Sequence, residues 1–574
     1  MEDNKYIHVI KLGSVQPFIT QSKKLKELKI RSQFITYLMD IIVAIVKQSG
    51  AELIVPSIKG DDVQYQSLPN QIIYMTKNYH ELDIREEMIR QMQPDKFMMQ
   101  YIQNELDVCV ASMPIESYTQ KSYHDLMNRL HGIRQRRAFH YIAERPDEDK
   151  DKIIKCKRCN SRFIAKSDDN LVDEDYLCLI CNHHYLKKMM RKKQHINMES
   201  TIQIASSHWC DEDREAKIIQ FYNNHVKDEH ESLLYKQNIT EHGIYVKDTM
   251  MSLIANEHDK ANLEELHLYP NTVSRHYAVV KADIDNLGKW MSGHYLEKGP
   301  SNYKEYQEEL SSKISAFAKQ IQDDLAKRNQ NQREILPIYI GGDDILIFCN
   351  ICQLNYVLQT IRTNVERLND NFSFVKNQDF SFYKNELTVS TSIVIAHYKI
   401  PLSNVLKLAS TQLDMVKKRY TSRKAMKDGL VFTYITASRT ETTCYCKGQE
   451  EQEELFDLIS LFENGQLSKR FVYLVSEQLK KYEQVSSNLI DDTFILGKMA
   501  IRRILHHRFD IEESDLKNME DKLLALYERQ YAYIRSQASL DTTNFLHTLA
   551  CCRLMGEERK KAEEAIAYVR QHQA

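Results

Sequence analysis

The sequence predicts a multidomain α+β protein, and three observations support this class. The chain has 574 residues, which is too long for one ordinary hydrophobic core. Short apolar segments of strand type alternate with longer segments of helical periodicity. Glycine (15) and proline (10) are scarce, which favours long helices over a loop-rich all-β fold. A hydrophobic fraction of 42% and a charged fraction of 28% are typical of globular rather than disordered proteins.

The first region, 1–150, begins with one α/β unit. Tyr6–Leu12 is predicted as a strand, a long helix follows, and Glu52–Pro56 is predicted as the next strand. The helix is indicated by apolar residues at helical spacing, namely Phe34, Leu38, Ile41, Ile42 and Ile45. From about 71 to 145 the pattern predicts mostly helix, and a charged linker ends the region.

Four cysteines in the next region, 151–190, are spaced as metal ligands. Cys156 and Cys159 form one Cys-x-x-Cys pair, and Cys178 and Cys181 form a second pair. Four such thiolates can close a tetrahedral Zn²⁺ shell, which is structural because no position remains for a substrate. The alternative is four buried or unpaired thiols. The N-terminus has no signal peptide, so the cysteines indicate a reducing cytoplasm.

A second α/β pattern occupies 269–445, after a helical connector over 191–268. The predicted strands are Tyr277–Ala282, Ile335–Ile340, Ile345–Phe348 and Leu387–Ala396. Helical segments separate the first strand from the second and the third from the fourth, and a helix over about Leu402–Arg419 follows. The order β-α-β-β-α-β predicts a ferredoxin-like arrangement. The remaining region, 446–574, is predicted to be a helical domain.

Two carboxylate pairs are predicted to meet in this second α/β unit. One lies in the hairpin Gly341-Gly342-Asp343-Asp344, and the other, Asp283 and Asp285, ends the first strand. Adjacent like charges resist burial unless a cation compensates them, and glycines allow a phosphate to approach. The two pairs can therefore hold two Mg²⁺ or Mn²⁺ ions, which would activate a 3′-hydroxyl and stabilise a leaving pyrophosphate. The alternative is a plain hairpin turn, in which Gly and Asp are common.

Charge and hydropathy restrict the partners. The formal net charge of −2 excludes a uniformly basic nucleic-acid coat, while leaving local basic runs such as Arg134–Arg137, Lys187–Lys193 and Arg502–Arg508. Such a run is more often a solvated helix face than a nucleic-acid contact. No apolar stretch approaches the roughly 20 residues that span a bilayer, so no membrane partner and a cytoplasmic location are expected.

Together these motifs resemble a known family. The second α/β unit resembles the palm of the large polymerase/cyclase subunit of type III CRISPR RNA-guided effector complexes, a relative of GGDEF diguanylate cyclases. Val15-Gln16-Pro17-Phe18-Ile19 and Ser67-Leu68-Pro69-Asn70 are similar to the first palm of its Cmr (subtype III-B) branch. The resemblance covers essentially the whole chain. It implies a degenerate first palm, a zinc ribbon, a catalytic second palm and a C-terminal helical bundle.

The resemblance also implies a metal-binding set. Asp283 and Asp343 would be the metal-binding carboxylates, assisted by the Ile284 carbonyl and supported by Asp344, with Asp285 in the same catalytic group. Many family members begin with an HD nuclease domain, whereas this chain starts directly at the first palm. No HD nuclease activity is therefore expected.

Further residues are implied to bind nucleotide. They are Asn286, Leu287, Gly288, Lys289, Gly341, Gly342, Ser390 and the triphosphate-contacting Lys417. The family usually shows Asp-Gly-Asp and a glycine after the serine, where this chain has Ile284 and Ser392. These departures affect the expected substrate geometry and leave the carboxylates in place.

The implied function is RNA-activated nucleotidyl transfer from ATP that produces a cyclic oligoadenylate second messenger. An alternative is the conjugation of AMP to S-adenosylmethionine, and the sequence does not separate the two products. Expected partners are other type III-B subunits, the guide RNA and target RNA. A different class is a non-catalytic scaffold that anchors guide RNA and small subunits, and a third is a free-standing cyclase.

Overall fold

The computed structural model contains two β-sheets, helices packed against them and a helical C-terminal region, which confirms the predicted α+β class. It describes residues 5–13, 15–57, 68–77, 82–135, 155–160, 162, 177–190, 200–211, 213–218, 270, 272–295, 302–328, 333–342, 344–370, 386–421, 427–485, 490–507, 512–536 and 543–572.

The first sheet has four strands in the order β2-β3-β1-β4, and all neighbours are antiparallel. Its strands are β1 (Lys5–Leu12), β2 (Glu52–Val55), β3 (Gln71–Thr76) and β4 (Val108–Ile115). Its helices are α1 (Val15–Thr20), α2 (Leu25–Gln48), α3 (Ile84–Met92), α4 (Lys96–Asn104) and α5 (Gln120–Gln135). The apolar stripe of α2 that the sequence predicts is buried, including Phe34, Leu38 and Ile42.

The structure corrects one prediction in this region. The pattern over 71–145 predicts mostly helix, but β3 and β4 are strands. In β3 three successive residues are buried, so no alternation of apolar and polar positions marks the strand. β4 contains Pro114 and alternates irregularly. Both strands pair with β1 across a large sequence separation, and local periodicity does not report such pairing.

The second sheet has six strands in the order β10-β9-β8-β5-β7-β6. They are β5 (His276–Ile284), β6 (Ile335–Gly341), β7 (Asp344–Asn350), β8 (Val389–His397), β9 (Gly429–Ile435) and β10 (Glu441–Lys447). The helices are α8 (Leu287–Met291), α9 (Tyr303–Arg328), α10 (Leu354–Asp370) and α11 (Leu402–Arg419), beside α6 (His183–Met189) and α7 (Thr201–Ser206) upstream. The sequence does not predict β9 and β10.

The ferredoxin-like strand order occurs twice. In β8-β5-β7-β6 the first strand of a β-α-β-β-α-β series lies between the fourth and the third, as it does in β4-β1-β3-β2. The β5 strand is central and pairs antiparallel with both β7 and β8. Because β5 pairs with β7, the C-terminal residues of β5 lie next to the turn of the β6–β7 hairpin.

The C-terminal region is helical, as predicted. Its helices are α12 (Gly448–Glu463), α13 (Lys469–Val485), α14 (Ile490–His506), α15 (Glu513–Ser536) and α16 (Thr543–Gln571). The α16 helix covers the edge strand β10, where Asn544 bonds both the N–H and the carbonyl of Tyr445 at 2.8 and 2.9 Å. Within the described ranges no helix is long and apolar enough to cross a membrane.

The two sheet units pack directly on each other. Ser32 on α2 donates to the Ile338 carbonyl on β6 at 2.8 Å. The Ser57 N–H donates to Ser311 Oγ on α9 at 3.1 Å. At the other end of the interface Gln120 on α5 donates to the Ser292 carbonyl at 2.8 Å. The first unit therefore borders both segments that carry the predicted site, the β6–β7 hairpin and the residues after β5.

Candidate active site

The hairpin between β6 and β7 requires both of its glycines. Gly341 pairs with Asp344, so the turn contains two residues, Gly342 and Asp343. Gly342 has φ +62°, the conformation that two-residue hairpins favour at their first turn position. A Cβ on Gly341 would lie 2.8 Å from the Tyr339 ring. The glycines therefore let the chain turn tightly just before Asp344, and Asp343 lies outside the described residues.

Asp283 and Asp344 face each other on neighbouring strands. They are directly paired in the β5–β7 register, which places the Cβ atoms of such partners about 5 Å apart. Like charges at this separation repel unless cations compensate them. Lys417 on α11 forms an ion pair with Asp283. The residue that the family resemblance assigns to the triphosphate thus lies beside the carboxylates.

The environment of Lys417 disfavours its charge. Burial, with Lys427 and Lys281 nearby, lowers the pKa of Lys417 to about 8, whereas its ion pair with Asp283 acts in the opposite direction. An ammonium whose charge is disfavoured in this way would be stabilised by an anion that carries more negative charge than one carboxylate. A triphosphate is such an anion.

Asp344 is bonded to the first sheet unit. Gln16, on α1, donates from Nε2 to Asp344 Oδ2 at 2.9 Å. Lys281 on β5 donates to the Gln16 Oε1 atom at 3.2 Å and to Ser410 Oγ on α11 at 2.9 Å. Pro69 packs against the same turn, 3.7 Å from the position of a Cβ on Gly342. Both motifs that resemble the first palm of the family therefore touch the hairpin.

Asp285 lies apart from these carboxylates. Its side chain is fully buried and accepts hydrogen bonds from Ser390 Oγ at 2.7 Å, Thr388 Oγ1 at 2.9 Å and the Asp428 N–H at 3.1 Å. Burial is the largest influence and raises the pKa of Asp285 to about 6, although the three donors oppose it. Asp285 ties β5 to β8 and to the start of β9, which is a supporting position rather than a metal-facing one.

We expect Asp285→Asn to stabilise the chain at pH 8. One orientation of asparagine keeps its oxygen on Thr388 and Asp428 and turns its NH₂ to Ser390. The pKa of Asp285 is raised in the folded state, so ionisation costs stability as pH rises through about 6. The gain is up to about 3 kcal/mol at pH 8, falls as the pH drops through about 6, and disappears below about pH 3, where aspartate is protonated in both states. Thermal unfolding of both proteins across this pH range measures the difference.

Asp324 provides the opposite control for this measurement. Its bond to Lys327 lowers the pKa of Asp324, so Asp324→Asn should lower the melting temperature at pH 8. A gain for Asp285→Asn that does not change with pH would contradict the assignment of the raised pKa to Asp285.

The segment after β5 forms an open entrance to the site. Asn286 adopts φ 57° and begins the short helix α8. Gly288 and Lys289 are exposed, and a Cβ on Gly288 would meet no atom within 4 Å. The end of α8 is held by α9, where Tyr306 donates to the Trp290 carbonyl at 2.5 Å and Tyr303 to the Met291 carbonyl at 2.6 Å. The position of the entrance is therefore set by packing rather than by the segment itself.

The four predicted cysteine ligands come together. The Sγ atoms of Cys156, Cys159, Cys178 and Cys181 all lie within 4.8 Å of one another, and those of Cys159 and Cys178 are 3.9 Å apart. A tetrahedral ion with metal–sulfur distances of about 2.3 Å separates its ligands by about 3.8 Å. The donor set and its spacing fit Zn²⁺. In the described residues no other group of three or more His, Cys, Asp or Glu side chains is clustered tightly enough to hold a metal ion.

This cysteine cluster is anchored to the first sheet unit. Arg158, between the first two cysteines, forms a two-pronged ion pair with Glu27 on α2, with N–O distances of 2.5 and 3.1 Å. Both side chains are buried, at 7% and 3% exposure. Arg162 pairs with Glu105 and lies over the Tyr101 ring. Buried pairs of this kind fix orientation, because loss of one partner leaves an uncompensated charge.

Comparison with known proteins matches two family profiles to this chain. One is described as the second palm domain of Cas10/Cmr2 and matches residues 276–427. The other is the N-terminal region of the CRISPR-associated protein Cmr2 and matches residues 7–129. Both matched regions of the chain therefore resemble the Cmr2 family. The first profile spans β5 to α11 and contains Asp283, the hairpin and Lys417, and the second spans most of the first sheet unit.

Individual relatives agree with this resemblance. The CRISPR system Cmr subunit Cmr2 of Pyrococcus furiosus is 22% identical, over 94% of this chain and 73% of its own length. A chain of the Type III-B Cmr-beta structure in the apo state has a TM-score of 0.55 and 13% identity, over 89% of this chain and 78% of that chain. Type III-B Cmr-beta bound to cognate target RNA gives the same score and identity, over 89% and 80%. These two likenesses show the fold.

The residues predicted for this site separate into two groups. Asp283, Asp344 and Lys417 are brought together at the hairpin, with Gly341 and Gly342 shaping it. Ser390 and Asp285 are both fully buried and bond each other, so neither reaches the surface of the site. The sequence did not identify Lys281 or the contact of Gln16 with Asp344. The Gln16 motif was a detectable signal, but its target could not be read from the chain.

Proposed function

We propose that the second palm of this chain is a nucleotidyltransferase. It would join the 3′-hydroxyl of an adenosine-containing acceptor to the α-phosphate of ATP and release pyrophosphate. The observation that carries the proposal is the direct pairing of Asp283 with Asp344 at the mouth of a hairpin, with Lys417 bonded to Asp283. A plain hairpin turn, the alternative from sequence, does not need opposed carboxylates on two different strands.

The oxygen donors at this mouth suit two Mg²⁺ or Mn²⁺ ions. Asp283, the Ile284 carbonyl, Asp343 and Asp344 would hold them, and the ions would increase the acidity of the 3′-hydroxyl and neutralise charge on the phosphates. The fit rests on two half-buried carboxylates that face each other and already attract a lysine. The four-cysteine cluster would hold a structural Zn²⁺ ion.

The other residues of the site would bind the nucleotide or support the strand that carries Asp283. Lys417 would leave Asp283 and bind the triphosphate, as the family resemblance implies. The exposed backbone of Asn286–Lys289 would lie along phosphate and base, where Gly288 leaves space. Asp285 and Ser390 would brace β5 from inside the sheet. Within this segment, Leu287 is half-buried against the core and would contribute packing.

The product we propose is a cyclic oligoadenylate, made when target RNA pairs with guide RNA in a type III-B complex. The conjugation of AMP to S-adenosylmethionine is the alternative product of the same palm. Two relatives support the setting: one is a Cmr subunit by name, and the structural neighbour Cmr-beta has been determined with cognate target RNA. No membrane partner, a cytoplasmic location and the absence of HD nuclease activity stay predictions, as do the proposed domain boundaries.

Product analysis tests this proposal. The complex purified with this chain would be incubated with labelled ATP and Mg²⁺ or Mn²⁺, with and without target RNA and S-adenosylmethionine, and the products identified by mass. We expect an RNA-dependent adenylate product with release of pyrophosphate. An oligoadenylate product would identify an ATP-derived acceptor, whereas a conjugate would identify S-adenosylmethionine as the acceptor. If the complex forms no more product than a control complex that carries both Asp283→Asn and Asp344→Asn, the chain would be a scaffold rather than an enzyme.

A further inference from the structure

The first palm has no carboxylate set in its described residues comparable to Asp283 and Asp344, yet it reaches into the second. Its helix α1 places Gln16 between Lys281 and Asp344. The distances are 2.9 Å from Gln16 Nε2 to Asp344 Oδ2 and 3.2 Å from Lys281 Nζ to Gln16 Oε1. One neutral side chain from a different structural unit thus bridges a cation and a site carboxylate.

The chemistry of the partners fixes the orientation of this amide. An ammonium can only donate hydrogen bonds, and an ionised carboxylate can only accept them. The Gln16 oxygen must therefore face Lys281, and its NH₂ must face Asp344. Lys281 is itself fixed by its bond to Ser410 on α11. Rotation of the Asp344 carboxylate would break a charge-assisted hydrogen bond, which is stronger than one between neutral groups.

The helix that carries Gln16 is held firmly in place. Val15 and Ile19 are buried in a hydrophobic core to which both sheet units contribute. Arg31 on α2 donates to the Phe18 carbonyl at 2.6 Å, and its guanidinium lies 5.0 Å from the centre of the Phe18 ring. Arg31 is almost completely buried. The amide is therefore a rigid donor, and any displacement of the first palm relative to the second would move it.

We propose that Gln16 is a positioning residue that orients Asp344 for metal binding, so that the first palm controls the catalytic competence of the second. The inference rests on the proposed function, because it deepens the role of the same carboxylate. Gln16 does not touch substrate and acts through Asp344. Side chains that orient metal ligands in this way typically contribute about 10- to 100-fold in metal affinity or activity.

Metal dependence is the measurement that separates positioning from folding. For Gln16→Met, which has similar length but no donor, we expect the Mn²⁺ concentration for half-maximal activity to rise about 10- to 100-fold. The KM for ATP at saturating Mn²⁺ should remain near that of the unmodified chain. Lys281→Met removes the group that orients the amide and should shift metal dependence in the same direction by less. A merely structural defect would lower the amount of active protein without moving the half-saturation point.

Ser32→Ala is the matched control, because it removes another hydrogen bond between the palms that touches no carboxylate. It should leave the Mn²⁺ dependence unchanged. Direct Mn²⁺ binding to the full chain, followed by the electron paramagnetic resonance signal of free Mn²⁺, gives a readout independent of turnover. Unchanged Mn²⁺ binding in Gln16→Met would overturn the role of Gln16 even if the complex is active. Normal Mn²⁺ binding by an inactive complex would instead count against the proposed reaction.

Discussion

Asp344→Asn and Asp283→Asn are each expected to lower nucleotide transfer by at least about 100-fold, because each removes an anionic metal ligand worth several kcal/mol in the transition state. The two carboxylates are opposite each other in the strand register, so neither can replace the other without moving a strand. Asparagine preserves volume and keeps an acceptor for Lys417 or Gln16. We therefore expect the fold to be retained, with the loss in kcat rather than in the amount of folded protein.

Asp414→Asn is the matched control for this pair. Asp414 is an exposed carboxylate on α11, in the same helix as Lys417 and near enough to Lys281 to influence its charge. It should retain nearly full activity. Initial rates of pyrophosphate release from ATP by the RNA-bound complex would measure all three variants. Equal losses for Asp414→Asn and Asp344→Asn would indicate a general charge effect and would remove the reason for assigning metal ions to the hairpin.

Cys156→Ser and Cys178→Ser are expected to eliminate one bound zinc ion per chain and to destabilise the first half of the protein. Each pair of cysteines lies on a different segment, and a shared ion would bind the two segments to each other. Structural zinc sites contribute binding free energy on the order of 10 kcal/mol to folding. Loss of the ion should also loosen Arg158 from Glu27, since Arg158 lies between two ligands. Metal analysis and thermal unfolding would record these effects.

Cys349→Ser provides the comparison. Cys349 is completely buried in β7 and lies outside the four-cysteine cluster, so its substitution tests the cost of replacing an interior thiol alone. This variant should keep its zinc. A full complement of zinc in Cys178→Ser, or equal destabilisation by both substitutions without any change in metal content, would be inconsistent with a structural zinc site.

The sequence pattern predicted strands β5–β8 and their hairpin turn, because the features that mark these elements lie within short stretches of the chain. Strand residues that are apolar on both faces, a turn with two glycines and a carboxylate at the end of β5 all act over a few residues. The four cysteines are similar, since their spacing within each pair is a ligand geometry. The family resemblance placed Lys417 at the site, and the structure brings it to Asp283.

The remaining features depend on contacts between distant segments. β3 and β4 became strands because β1 offers hydrogen-bonding partners on both edges. Asp283 and Asp285 look equivalent in the sequence, but the backbone turns at Asn286 and Asp285 is enclosed by β8 and β9. The bond from Gln16 to Asp344 joins residues 328 positions apart. Side-chain spacing carries no information about such pairs.

The two sheet units share an order of four strands but contribute differently to the site. The second palm supplies the opposed carboxylates, whereas the first supplies Gln16, Pro69 and Gln120 to the hairpin and to the end of α8. A unit that has no comparable carboxylates among its described residues can thus still contact the carboxylate of the other. Motion between the palms would act on the carboxylates directly.

The location of metal ions in a nucleotide complex tests the central claim most directly. A structure of the chain with Mn²⁺ and a non-hydrolysable ATP analogue, determined with anomalous scattering from manganese, would locate each ion. We expect manganese bound by Asp283 and Asp344, with the Lys417 ammonium moved from Asp283 to the triphosphate. Manganese bound elsewhere, or nucleotide bound while Lys417 remains on Asp283 and no ion contacts either carboxylate, would contradict it.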